Sequence, residues 1–188
     1  MALPLVVDGV TFQYPEPGDR GLAQEATDWA DAATTAVANL QTTYAADQKR
    51  NRVRAHISTP QTTISAATVV VFDVEDWDTA AGYNPATGVF TVPTGYAGDY
   101  VIAASVLLTQ VTSTGVQQLT IEVNGTLIAT AEYSATAAGT GNAAISASAC
   151  YTLAVGDTVR CRLTASAGTI TTVASAGSQF SLLKVSHG

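Results

Sequence analysis

Charge is scarce in this chain. Asp, Glu, Lys and Arg make up 12% of its 188 residues, with 8 basic against 15 acidic side chains and a formal net charge of −7. Phosphate repels such a chain, so direct nucleic-acid binding is not expected. No apolar run reaches the ~18 residues of a membrane-spanning helix. MALPLVVDGV has neither a basic leader nor a long apolar stretch, so no signal peptide is expected, and the chain reads as made and used without export through a membrane. Histidine is nearly absent. His56 lies in RVRAHISTP, read as a linker, and His187 is penultimate; neither belongs to HExxH or to a triad-like context. No GxGxxG or Walker loop is present, and the glycines mark turns. The two cysteines, Cys150 and Cys161, are too few for a disulfide framework. Cys161 shares strand parity with Val159 and Leu163, whereas Cys150 opposes its apolar neighbours Ala149, Tyr151 and Leu153. Opposed parities argue against a bridge, and Cys161 reads as a buried thiol.

What is abundant is Ala, Thr, Val, Gly and Ser, the profile of a β-rich protein with small-residue contacts. Three zones follow. In residues 1–21, LPLVV reads as a short strand, and FQYPEPGDRG, with its prolines and glycines, as extended and irregular. Leu5, Val7, Phe12 and Tyr14 cannot close a core there, so this zone should dock elsewhere. Residues 22–57 hold LAQEATDWADAATTAVANLQTTYAADQKR, free of Gly and Pro, with acids early and bases late as a helix dipole prefers. Leu22, Ala26, Trp29, Ala33, Ala36 and Leu40 recur at alternating spacings of four and three. That stripe fits either a helix packed on its own domain or one that bundles with its copies. Lys49 and the RNRVR cluster are read as ending the helix or pairing with acidic neighbours.

Residues 58–188 are almost all β. TVVVFDV, GVFTVP, DYVIAASVLLTQV, QQLTIEV, TLIATAEYS, NAAISASACYTL, DTVRCRL and SQFSLLKVS are separated by NPATG, TGYAG, VNGT, TAAGTGN and VGD turns. The expected fold is mainly β, an antiparallel jelly-roll sandwich. DYVIAASVLLTQV carries apolar residues on both faces: Val101, Ala103 and Leu107 on one, Ile102, Val106 and Leu108 on the other. One face of such a strand should be covered by a neighbouring subunit.

These motifs resemble a C1q-like domain, a trimeric jelly roll related to tumour necrosis factor. The likeness runs in order through Phe72-Asp73, then Tyr83, Pro85, Thr87, Gly88, Phe90 and Thr91, then Pro93, Gly98 and Tyr100. It continues through the Asn124-Gly125 hairpin, the Leu153, Gly156, Asp157 and Val159 segment, and the strand from Ser178 to Val185. It departs at Leu182, where the family usually has Gly, and in a longer TGYAGD turn. The resemblance implies a homotrimer. Phe72, Tyr83, Phe90, Tyr100, Val106, Leu108, Leu153 and Phe180 are the expected core and trimer-forming residues. Some C1q-like trimers bind calcium, and Asp73, Glu75, Asp76 and Asp78 are the candidate ligands here. They lack the Gly and terminal Glu of the twelve-residue calcium loop, so the expectation is a solvated loop with Asp73 bonded to backbone and no metal or other cofactor.

VTFQYPEPGDRGLAQEATDWADAATTAVANL resembles the N-terminal segment of tailed-bacteriophage virion proteins, with its aromatic-Tyr-Pro patch, Gly-Asp turn and Trp-bearing helix. The combined expectation is a non-enzymatic virion fibre, spike or decoration protein. Leu5, Val7, Phe12, Tyr14 and Trp29 would anchor it to other virion proteins, and it would assemble in the bacterial cytoplasm. A host-recognition adhesin is the alternative. A hydrolytic tailspike would need paired carboxylates flanking a groove, and the acids cluster in one short segment instead.

Overall fold

The computed structural model describes residues 5–7, 10–12, 22–47, 51–109, 115–135 and 142–185. The chain divides into two compact units, Met1–Lys49 and Arg50–Gly188.

In the first unit, β1 (Leu5–Val7) and β2 (Val10–Phe12) form a small antiparallel hairpin, with Leu5 opposite Phe12 and Val7 opposite Val10. The sequence pointed to one strand followed by irregular chain; two strands form. Tyr14 lies outside the described residues. Helix α1 (Leu22–Asp47) uses the stretch of helix formers without Gly or Pro. Its last turn, ending at Asp47, holds no basic residue, and Lys49 and Arg50 lie outside the described residues.

The second unit is a sandwich of two antiparallel sheets. Its strands are β3 (Arg52–Ile57), β4 (Thr68–Val69), β5 (Val74–Asp78), β6 (Tyr83–Asn84), β7 (Val89–Thr91), β8 (Gly98–Thr109), β9 (Gly115–Val123), β10 (Thr126–Ala135), β11 (Ala143–Leu153), β12 (Thr158–Ala165), β13 (Thr171–Thr172) and β14 (Ser175–Lys184). One sheet runs β10-β9-β12-β7-β6, with β4 also on β12. The other runs β11-β8-β14-β3-β5, with β13 also on β8.

Three sequence expectations change here. RVRAHI is no linker: its polar-apolar alternation makes β3, which buries Val53, Ala55 and Ile57 and pairs with β14 on one side and β5 on the other. The sandwich thus takes in residues 52–57, which the sequence reading gave to the stem. TVVVFDV is not one strand. β4 belongs to one sheet and β5 to the other, and the chain crosses between them with Val70 and Phe72 buried. The Gln61 side chain supports the crossing, donating to the Val69 carbonyl and accepting from the Val71 amide. DVEDWD is largely strand rather than loop, because β5 pairs with β3.

Between the sheets, Phe180 lies 5.7 Å from Tyr83 and 5.9 Å from Phe72, ring centre to ring centre, while Phe90 meets Tyr100 at 6.3 Å. Each such buried ring contributes about 2–3 kcal/mol. The Tyr83 hydroxyl donates to the Phe72 carbonyl at 3.0 Å, so the buried polar tip is satisfied. Asn124 and Gly125, with φ of 51° and 81°, form the tight hairpin turn joining β9 to β10 that an Asn-Gly pair favours.

Candidate interaction surface

The strand pairings decide which side chains share the outer face of the β11-β8-β14-β3-β5 sheet. One row across it is Cys150, Val101, Leu183 and Arg52. The next is Ser148, Ala103, Ser181, Arg54 and Trp77, and the third is Ser146, Ser105, Gln179 and His56. Val101, Leu183 and Trp77 are 38%, 41% and 43% exposed. Beside this apolar row, Ala103, Ser105, Ser146, Ser148, Gln179 and Ser181 line a shallow depression of about 240 Å³. Small side chains leave that floor low.

Charge gathers at one edge of the face. The Arg52 guanidinium lies 5.7 Å from the Trp77 ring centre. Asp76 forms an ion pair with Arg54, 3.3 Å from its Nε, and a hydrogen bond with His56 Nδ1 at 2.9 Å. Arg52 and Arg54 therefore serve their own strand neighbours, and His56 is a strand residue with a carboxylate partner.

The outer face of the opposite sheet is different in kind. Glu122 is held by Arg160 at 2.8 Å and Arg162 at 3.4 Å, and Gln118 donates to Glu132 at 2.8 Å. Charged and polar side chains pair across this face. The face carrying Val101 and Leu183 is the one suited to meet another protein surface.

All eight residues expected in the core and trimer set, namely Phe72, Tyr83, Phe90, Tyr100, Val106, Leu108, Leu153 and Phe180, are buried within one chain. Val106 and Leu108 point between the sheets. The outward residues of β8 are Asp99, Val101, Ala103, Ser105, Leu107 and Thr109. The outward face is less apolar than expected from the strand, because Ala103 and Ser105 lie between Val101 and Leu107. Leu107 is half-covered, lying against Gly177 at a register shift of β14. Leu182 also points inward and is buried, so the family departure at that position falls in the core.

The four candidate metal ligands have separate tasks. Asp73 accepts from the Ser58 amide at 2.6 Å, the Ser58 hydroxyl at 2.8 Å and the Thr59 amide at 3.0 Å. Burial raises its pKa, but these hydrogen bonds outweigh that effect and hold the carboxyl below its usual value. Asp78 accepts from the amides of Ala80 and Tyr83 and so shapes the turn before β6. Asp76 is taken by Arg54 and His56, and Glu75 sits opposite Ala55 in β5. No group of three His, Cys, Asp or Glu side chains converges as a metal site among the described residues.

Cys150 is exposed and Cys161 buried, both as free thiols. Burial, with a smaller contribution from the Glu122 charge, pushes the Cys161 thiol up to about 12, so it is inert at neutral pH. One feature escaped the sequence reading. Tyr151, 41% exposed, lines a depression of about 450 Å³ with Asn124, Thr126, Thr152 and Asp157. The sequence signals, a Tyr near the end of β11 and the Asn-Gly and Gly-Asp turns, were visible, but not that the fold brings them together.

Two antiparallel sheets packed face to face, with these strand pairings, define a jelly-roll domain of the tumour necrosis factor type. Residues 53–182 match the family described as C1q domain, and the chain belongs to that family. No curated protein matches the sequence. Solved structures of similar fold include Eiger TNF from S. frugiperda (TM-score 0.58, 16% identity, 74% of this chain and 94% of that one). Murine APRIL at pH 5.0 gives a TM-score of 0.56 at 16% identity, over 73% of this chain and 100% of that one. The globular domain of zebrafish complement 1qA gives 0.53 at 15% identity, over 74% and 98%. At such identities the likeness concerns the fold. The family match does not extend to residues 1–52.

Proposed function

We propose that this protein is a non-enzymatic, homotrimeric structural protein of a bacteriophage virion. Its N-terminal unit anchors it to other virion proteins, and its C1q-type head projects outward. The observation that carries the self-association is the outer face of the β11-β8-β14 half-sheet, where Val101 and Leu183 stand exposed beside a floor of Ala and Ser while the opposite sheet wears ion pairs. The C1q family resemblance supports three copies, and the resemblance of the N-terminal segment to tailed-phage proteins supports the virion. Light scattering of the pure protein should give about three times 19.2 kDa; a stable monomer at micromolar concentration would overturn the trimer. Residues 1–49 fused to an unrelated trimeric domain should decorate particles lacking the protein. Decoration by the head alone would reverse the assignment of anchor and head.

A second reading, host recognition, rests on the depression around Tyr151. An exposed aromatic ring beside the Thr126 hydroxyl and the Asp157 carboxylate suits a neutral saccharide, which stacks one face and hydrogen-bonds its rim. The Asn124 amide donates to Asp157 at 2.8 Å and holds that wall in place. A glycan array probed with the full chain and with Tyr151→Ala tests it: binding lost in the variant supports recognition, and no binding by either protein removes it.

A further inference from the structure

We infer that α1 forms a parallel, in-register three-helix seam with the same helix of two other copies, through Trp29, Ala33, Ala36 and Leu40. This rests on the trimer reading above and goes beyond it by assigning a second, separate interface. The helix has two unlike faces. On one, Trp29 is 43%, Val37 53% and Leu40 56% exposed. Trp29, Ala33, Ala36 and Leu40 are spaced four, three and four apart, as the inner positions of a coiled coil are. Between Trp29 and Leu40, Ala30, Ala32, Val37 and Asn39 flank the stripe and bear no charge, so these margins do not repel a copy.

The other face is occupied with itself. The hydroxyls of Thr34, Thr35 and Thr42 donate to the carbonyls of Ala30, Asp31 and Ala38 at 2.8, 2.9 and 2.9 Å. Asp28 and Asp31 lie on that side, away from the stripe. That side is polar, whereas the large exposed apolar side chains lie on the stripe and its margin.

Two points select copies of this chain as the occupant. A helix of this length gains most of its stability from packing an apolar face rather than from propensity. And only residues 48–51 separate Asp47 from the start of β3 at Arg52. That chain spans at most about 17 Å, and β3 belongs to the sheet bearing the exposed apolar row. Three associated heads would therefore bring three helices, all running the same way, to high effective concentration. A seam with Ala at two of four inner positions is too thin to associate alone, and tethering supplies what it lacks.

The test uses the full chain with Cys150→Ser, so that an exposed native thiol does not compete. Single cysteines are placed at inner positions (Ala33→Cys, Leu40→Cys) and on the opposite side (Ala38→Cys), and the chains are oxidised in solution. A disulfide needs Cα atoms within about 7 Å, which equivalent inner positions of a parallel seam approach and outward positions do not. Covalent dimer should form several-fold faster for Ala33→Cys and Leu40→Cys than for Ala38→Cys. If light scattering shows a trimer but the three cross-link alike, the seam is wrong and the trimeric head stands. If the chain is a monomer and none cross-links, both readings fall together. A helix seated instead on a different virion protein gives the first of these failures.

Discussion

Gly88 and Gly156 both have left-handed backbones, with φ of +69° and +86°. Around Gly156 a Cβ would meet open space, whereas at Gly88 it would run into the Val70 carbonyl oxygen, where the chain crosses between sheets. The backbone cost is common to both and the overlap belongs to Gly88 alone. Gly156→Ala should therefore cost about 1 kcal/mol, and Gly88→Ala more than about 3 kcal/mol, by denaturant unfolding. Equal costs would mean the crossing yields easily. Asp73 offers a pH test. Its folded pKa is lowered from 3.8, so its hydrogen bonds to Ser58 and Thr59 stabilise the fold fully above the unfolded value. That stability is lost as pH falls through the folded value. Asp73→Asn should be less stable than the parent at neutral pH, with the gap narrowing below about pH 4. A gap that stays constant to pH 2 would remove the carboxylate from the argument. At this scale the sequence was partly legible. Asn124-Gly125 could be read as a tight turn because the φ requirement is local. The pairing of His56 with Asp76 could not, because it depends on β3 and β5 lying side by side.

At the scale of elements, legibility followed the range of the forces involved. The long strands β8 to β12 are bounded by turn residues, and β8 and β12 alternate in burial, so each could be read alone. The error at β3 has a physical origin. Arg52, Arg54 and His56 are unusual strand residues, and the strand is held by non-local pairing to β14, more than a hundred residues away. The crossing from β4 to β5 was hidden for a related reason: an unbroken apolar run reads as one strand, whichever sheet each half joins. The correction changes where a head fragment can begin. A chain starting at Arg50 keeps β3 and should unfold cooperatively, with the circular dichroism of a β protein. One starting at Ser58 loses the strand between β14 and β5, exposes Phe180 and Leu182 and should be insoluble or partly unfolded. A well-folded fragment from Ser58 would show that β3 is an accessory.

At the scale of the whole molecule, the C1q-type fold was legible because its turns, aromatics and Gly-Asp segment occur in order along the chain. The outward face of the sheet was not. It is assembled from β3, β8, β11 and β14, whose register no sequence period reveals. Parity alone showed that β8 has two apolar faces; the structure shows that Val106 and Leu108 lie inside, fully buried, and that Val101 is outside. The two faces make opposite predictions for the same substitution. A charge at Val106 would be buried without a partner, at a cost of several kcal/mol, comparable to the stability of a small domain. Val106→Asp should therefore fail to fold. Val101→Asp and Leu183→Asp place the charge where a single chain leaves it in water. Each should keep the thermal unfolding and circular dichroism of a folded β sandwich while light scattering falls from three chains toward one. Should Val101→Asp and Leu183→Asp both remain fully trimeric at micromolar concentration, the copies meet elsewhere, and the exposed row of this sheet awaits a different partner.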